Sequence, residues 1–217
     1  MSWLTIVLFA AAGGFAGAAG RRALLSARVD VSASCCVLAA AVCWAVTGWR
    51  WSAGAWPSWW LPIALVITAF AVPLAYADLV SSRLPSVLTV PAYPAVMVAV
   101  GVAAAYDGPS IAVRACVGAM VFGGVHLAVH LCAPRSLGAG DVRLAGSVGG
   151  VLGAASWAAL VLGALCAAVV TAALSLAGLS SAGRRWREGV PYGPGLLLGA
   201  WLIAEFPATG TGVAMVG

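Results

Sequence analysis

Five apolar runs of about 20 residues follow one another through the first 133 positions, near residues 3 to 20, 31 to 49, 59 to 77, 87 to 105 and 111 to 133, with only short breaks between them. Each is long enough to carry a helix across the roughly 30 Å hydrocarbon layer of a bilayer. In that solvent a spanning helix satisfies its own backbone polar groups, whereas an open sheet or a loop does not. The pattern therefore predicts an integral membrane protein. Composition agrees, because 63% hydrophobic residues, 8% charged residues and a mean hydropathy of +1.05 leave too little polar surface for a water-soluble fold.

Beyond residue 133 the stretch from Asp141 to Leu179 would be about 58 Å long as one helix, roughly twice the hydrocarbon thickness. It must fold back, with a Gly-rich span ending near Ser156 and a second span from Trp157 to Leu179. A last span over about 192 to 207 completes an all-α, polytopic transmembrane helical bundle of about eight spans, read as one membrane domain over 1–217. Arginine fixes the expected orientation, since cytoplasmic loops collect basic residues. With the N-terminus outside, the inner loops hold Arg21, Arg22, Arg28, Arg83, Arg135, Arg143, Arg184, Arg185 and Arg187, and only Arg50 and Arg114 fall outside. Both termini are then extracytoplasmic. Because the first Arg pair follows its apolar run rather than preceding it, the N-terminus reads as a span and not as a cleaved signal peptide.

The net charge of +5 is spread over these breaks, so it serves topology and offers no nucleic-acid surface. Six cysteines lie in apolar stretches without C-x-x-C spacing and read as small core residues rather than zinc ligands or disulfides. Trp51, Trp56, Trp59 and Trp60 around one outer loop suit an interfacial aromatic belt.

Four Asp and two Glu make up the acidic inventory. Asp30 and Asp107 sit in loops, Glu188 among arginines, and Glu205 near the outer end of the last span. Asp78 ends the third span and Asp141 begins the sixth, which puts both at the same inner edge of the membrane. Alone, either is an ordinary interfacial or capping residue. Together, in a low-dielectric site, two close carboxyls cannot both ionise, so one keeps a proton and the pair is at once an acid and a base. Such a dyad can draw a proton from water attacking a peptide carbonyl while donating another to the carbonyl oxygen. Gly138 and Gly140 would let a backbone approach Asp141 closely. Gly146 with Gly150, and Gly149 with Gly153, offer small faces for helix packing. His126 and His130 are four apart on the fifth span, hence on one face; with no further ligands evident for zinc, they are expected to be structural hydrogen-bonding groups, and no metal is expected.

Three motifs, taken in order, resemble a known family. "GAGDVRL" is similar to a Gly-x-Gly-Asp-x-Lys motif, matched by Gly138, Gly140 and Asp141, with Arg143 standing where Lys is usual. "DLVSSRLPSVL" resembles an Asp, basic residue, Pro motif through Asp78, Arg83 and Pro85. "VPYGPGLLLG" resembles a Pro-Phe-Gly-Pro motif through Pro191, Tyr192, Gly193 and Pro194. The family is that of the type IV prepilin peptidases, of the Gly-x-Gly-Asp class of intramembrane aspartyl proteases, and the resemblance runs over about 60–205, with 1–58 supplying two additional N-terminal spans.

The resemblance implies that Asp78 and Asp141 are the catalytic pair. Gly138, Gly140, Arg143, Arg83, Pro85, Pro191, Tyr192, Gly193 and Pro194 would then bind substrate or shape the site. The implied reaction is removal of a short basic leader from a prepilin or pseudopilin, often after Gly, at the cytoplasmic face of the inner membrane, without a cofactor. The substrate's hydrophobic helix would lie in the bilayer beside the enzyme. Larger bifunctional members carry a cytoplasmic insert with paired C-x-x-C zinc motifs and also methylate the new N-terminus; this chain has only "RRALLSARVD" in that place, so proteolysis is expected and methylation is not. Two other classes stay open from the residues themselves. A small proton-coupled transporter or channel would use the same aspartates as a relay, with acids near the bilayer midplane, and a non-catalytic scaffold would tolerate loss of either Asp.

Overall fold

The computed structural model describes residues 2–134, 137–180 and 191–207, and among these it contains helices and no strand. Eight helices follow in chain order: α1 (Ser2–Ser26), α2 (Ala33–Ser52), α3 (Leu61–Ser81), α4 (Ser86–Asp107), α5 (Ser110–Cys132), α6 (Ala139–Ala155), α7 (Trp157–Ser180) and α8 (Gly193–Glu205). The breaks have local causes. Ser32 caps α2 by accepting the Cys35 N–H. Pro85, with extended backbone, precedes α4, and Gly108 with φ of 104° ends it. Extended Ser156 turns the chain between α6 and α7, at the fold-back that length alone required.

Six segments are long and apolar enough to cross a membrane: Trp3–Ser26, Ala33–Ser52, Ser58–Ser81, Ser86–Asp107, Ser110–Cys132 and Trp157–Ala177. The remaining two helices are shorter. With 17 and 13 residues, α6 and α8 reach only about 26 and 20 Å. Their neighbours allow this: every residue of α6 from Leu144 to Ala155 is buried, so α6 is the central rod of the bundle, packed by α4, α5, α7 and α8. A helix covered on all sides needs apolar residues all round and small ones where backbones meet. A Cβ on Gly153 would stand 2.5 Å from the Arg114 carbonyl oxygen of α5, and one on Gly149 would stand 2.6 Å from that of Gly118. The Gly146 and Gly150 face turns instead to Tyr93 and Val96 of α4. Both small faces expected from the sequence are used.

Three expectations are corrected. The sequence places the end of the first span near residue 20, but α1 runs on to Ser26, because Arg and Ala are good helix formers and Arg21 finds partners at the bundle end. Arg21 Nε donates to the Val31 carbonyl at 2.9 Å, and its guanidinium lies 3.7 Å from Asp30. The tryptophans form no simple belt: Trp56 and Trp60 are core residues, at 1% and 0% exposure, and Trp60 Nε1 donates to the Ala204 carbonyl at 2.9 Å. That partner on α8 satisfies the buried Trp60 indole N–H, whereas the Trp56 Nε1 has none among the described residues. Of the cysteines, Cys36 is buried and Cys43 and Cys166 half-buried, while Cys35, Cys116 and Cys132 lie on the outer surface, where an apolar solvent accepts a thiol as readily as a core does.

The helices alternate in direction, giving the bundle two ends. One carries the ends of α1, α3 and α5 and the starts of α4, α6 and α8. The other is knitted by Arg50, whose Nε donates to the Glu205 carbonyl at 3.0 Å and whose guanidinium lies 4.6 Å from the Phe206 ring centre. There Glu205 is fully buried, its Oε1 accepting the Thr47 hydroxyl at 2.5 Å. The arginines expected at the inner face at 135, 184, 185 and 187, with Glu188 and the tail beyond 207, lie outside the described residues.

Candidate active site

Asp78 lies in the last turn of α3, one turn further inside a helix than the expected span end at 77. Its side chain is 4% exposed. The helix is stopped by Ser82, a residue with φ of 49° whose N–H donates to the Asp78 carbonyl at 2.7 Å. This left-handed C-terminal turn sends Arg83, Leu84 and Pro85 back across the bundle end. Gly140 receives them, since a Cβ there would stand 3.0 Å from Leu84 Cβ and 3.3 Å from its carbonyl oxygen. The close backbone approach expected at Gly140 is thus made by the chain's own 83–85 turn.

Asp141 sits in the first turn of α6, where a carboxylate complements the positive end of the helix dipole. Its Oδ2 accepts the N–H of Gly138 at 3.2 Å, which closes the turn from the loop into the helix. Its Oδ1 is buried and makes no hydrogen bond among the described residues.

A third element completes the arrangement. Pro191 is buried, Tyr192 precedes α8, and Pro194 occupies its first turn, where the missing N–H costs nothing. Between them the Gly193 N–H donates to Asp78 Oδ2 at 3.0 Å. A Cβ on Gly193 would come 2.8 Å from that same oxygen, so glycine is required by the close approach itself.

The ends of α1 and α3, the turn into α4 and the start of α6 border one open cavity of about 460 Å³, within the range of small-ligand sites. Asp78 and Asp141 both line it, together with Arg83, Pro85, Gly138, Gly140 and Arg143. The charge of Asp141 reaches the Asp78 carboxyl. The structure therefore gathers seven of the eleven sequence-predicted residues around one space. Of the other four, Gly193 reaches Asp78 through its N–H, Pro191 and Pro194 are buried, and Tyr192 points to α5. There His126 Nδ1 is 2.7 Å from the Phe122 carbonyl, and Nε2 is 3.2 Å from the Tyr192 hydroxyl. One turn on, His130 Nδ1 is 2.7 Å from the Leu137 carbonyl.

No cluster of three or more His, Cys, Asp or Glu side chains able to hold a metal occurs among the described residues. Sequence reading did not single out Ala27, Ser82 and Ser86, which also line the cavity. Nor did it find Tyr93, whose hydroxyl donates to the Arg143 carbonyl at 2.6 Å. A phenol in the middle of an apolar helix was the available signal, because it needs a partner; the identity of that partner depends on how α4 crosses α6.

Comparison with known proteins gives a match to the model of the type IV leader peptidase family over residues 63–176. That stretch contains both aspartates and leaves out the 191–194 loop. No curated protein and no solved structure matches the chain.

Proposed function

The chain belongs to the type IV leader peptidase family, and from that premise we propose that it is an aspartic endopeptidase embedded in the inner membrane. Its reaction is to remove the short basic leader of a prepilin or pseudopilin at the cytoplasmic face. The observation that carries the proposal is the convergence of Asp78 and Asp141 on one open cavity from the ends of two different helices. Each carboxyl is held by one backbone N–H, from Gly193 and Gly138 respectively. Such donors fix orientation while leaving each group an oxygen for chemistry.

In the proposed reaction one carboxyl is ionised and the other protonated. The ionised member takes a proton from water as the water oxygen bonds to the scissile carbonyl carbon. The protonated member gives its proton to the carbonyl oxygen, so a neutral tetrahedral diol forms. Collapse breaks the C–N bond: one diol proton returns to the carboxylate that gave its proton, and the carboxyl that took its proton from water passes it to the leaving amine, so the new acid keeps the second diol proton. The dyad ends as it began, with one proton shared between two acids. Arg83 and Arg143 line the cavity and would shape substrate entry. The proposal does not extend to methylation of the new N-terminus.

A proton relay gains no comparable support. Among the described residues the next buried acid is Glu205, at the opposite end of α8 and about 18 Å from Gly193 along the helix axis.

The test is co-expression with a prepilin, following leader removal as a size shift. Asp78→Ala and Asp141→Ala should each leave the precursor uncut while the protein stays in the membrane. Processing that survives either change would remove the dyad from the reaction.

A further inference from the structure

We infer that His126 and His130, one turn apart on α5, are positioning residues that set the two loops holding the aspartates; the inference rests on the aspartic peptidase reading above. Each loop presents one backbone N–H to one carboxyl, Gly193 to Asp78 and Gly138 to Asp141. Each loop is also tied to α5 at the residue immediately before that glycine. His126 holds Tyr192 and His130 holds Leu137. A four-residue spacing puts both imidazoles on one helix face, so a single rigid element sets the register of both carboxyl supports.

The two ties use different chemistry. A carbonyl oxygen only accepts, so the 2.7 Å contact of His126 Nδ1 with the Phe122 carbonyl puts the proton on Nδ1. In the neutral ring Nε2 is then the acceptor, and the Tyr192 hydroxyl donates to it at 3.2 Å. The ring is also held in place by Phe122, with ring centres 4.6 Å apart. His130 works the other way round: its Nδ1 donates to the Leu137 carbonyl at 2.7 Å. His126 therefore acts on its loop as an acceptor at the far ring nitrogen, and His130 acts as a donor at the near one.

This difference gives a test that general loss of packing would not mimic. A Gln side-chain oxygen reaches the position of Nε2 and can accept, whereas an Asn side-chain nitrogen overlays Nδ1 and can donate. With the full-length protein in lipid nanodiscs and a purified prepilin, His126→Leu should lower kcat about tenfold, the worth of one hydrogen bond, with KM within about twofold. Tyr192→Phe should do the same, and the pair of changes should be no worse than either alone. His126→Gln should restore most of the rate and His126→Asn should not. At position 130 the order should invert, with Asn restoring and Gln failing.

Hydrogen exchange supplies a readout that needs no substrate. Amides around 192–195 should exchange faster in His126→Leu, and those around 137–141 in His130→Leu, with the other loop unchanged in each. Should the wild-type protein leave prepilin intact, the peptidase reading fails, and loop-specific exchange alone decides whether the histidines set the loops. Unchanged exchange, or Gln and Asn behaving alike at both positions with losses that follow the melting temperature, would overturn the inference.

Discussion

Gly193 meets two requirements at once: its N–H must reach the Asp78 carboxyl, and no Cβ can stand between them. Adding one methyl therefore acts on the carboxyl rather than on the fold. Gly193→Ala is expected to lower cleavage at least tenfold, a cost near that of one misplaced supporting hydrogen bond. The protein should still extract and melt as the wild type does, and kinetics paired with a melting curve check this. Glu205 shows the opposite case, a buried acid far from the cavity. Glu205→Leu removes the nearer of two acceptors of the Thr47 hydroxyl, which keeps the Cys43 carbonyl at 3.2 Å, and should destabilise the bundle by about 1 kcal/mol, whereas Glu205→Gln keeps an oxygen there and should cost less. Thermal unfolding in detergent separates the two.

At the scale of elements, the end of α1 carries a removable strain. The Val29 N–H returns to the Leu24 carbonyl and the Arg28 N–H to that of Leu25, which is the pattern of a left-handed helix stop with Arg28, at φ 59°, in the position glycine favours. Arg28→Gly should raise stability by about 1 kcal/mol or less, the cost of a left-handed non-glycine residue set against glycine's greater freedom when unfolded. A lower melting temperature would contradict it. Between α5 and α6 the contact is backbone to backbone, so Gly153→Val should separate the helices, cost more than about 3 kcal/mol by overpacking, and reduce yield from membranes.

Much at this scale was legible in the sequence. Length against bilayer thickness located the break at Ser156, and the Gly pairs named both packing faces of α6. The extent of α1 was not, because hydropathy marks where lipid ends and not where a helix does. Nor were the burial of Trp60 and Glu205, whose partners Ala204 and Thr47 lie far away in sequence. Among the site residues, the motifs identified the loops, but the tie between His126 and Tyr192 depends on how α5 and α8 come together.

For the molecule as a whole, the stretch that matches the family covers α3 to α6 and most of α7, yet the cavity draws on more. The residue after α1, Ala27, lines it, and the loop before α8 supplies the N–H on Asp78. The unit of function is therefore the bundle rather than the matched core. Its alternating helices bring Asp78 and Asp141 to one end while Arg50 and Glu205 lock the other. The central claim is that the two aspartates act as one acid–base unit. It is tested most directly by single-turnover cleavage of a purified prepilin in lipid vesicles, with mass spectrometry of the freed leader, for wild type, Asp78→Asn, Asp141→Asn and the double variant. Groups that work as a unit are lost together, so each single variant should fall at least about a thousandfold and the double should fall no further. A single variant that still cuts at near the wild-type rate, or a double variant slower by the product of the two single losses, would contradict it.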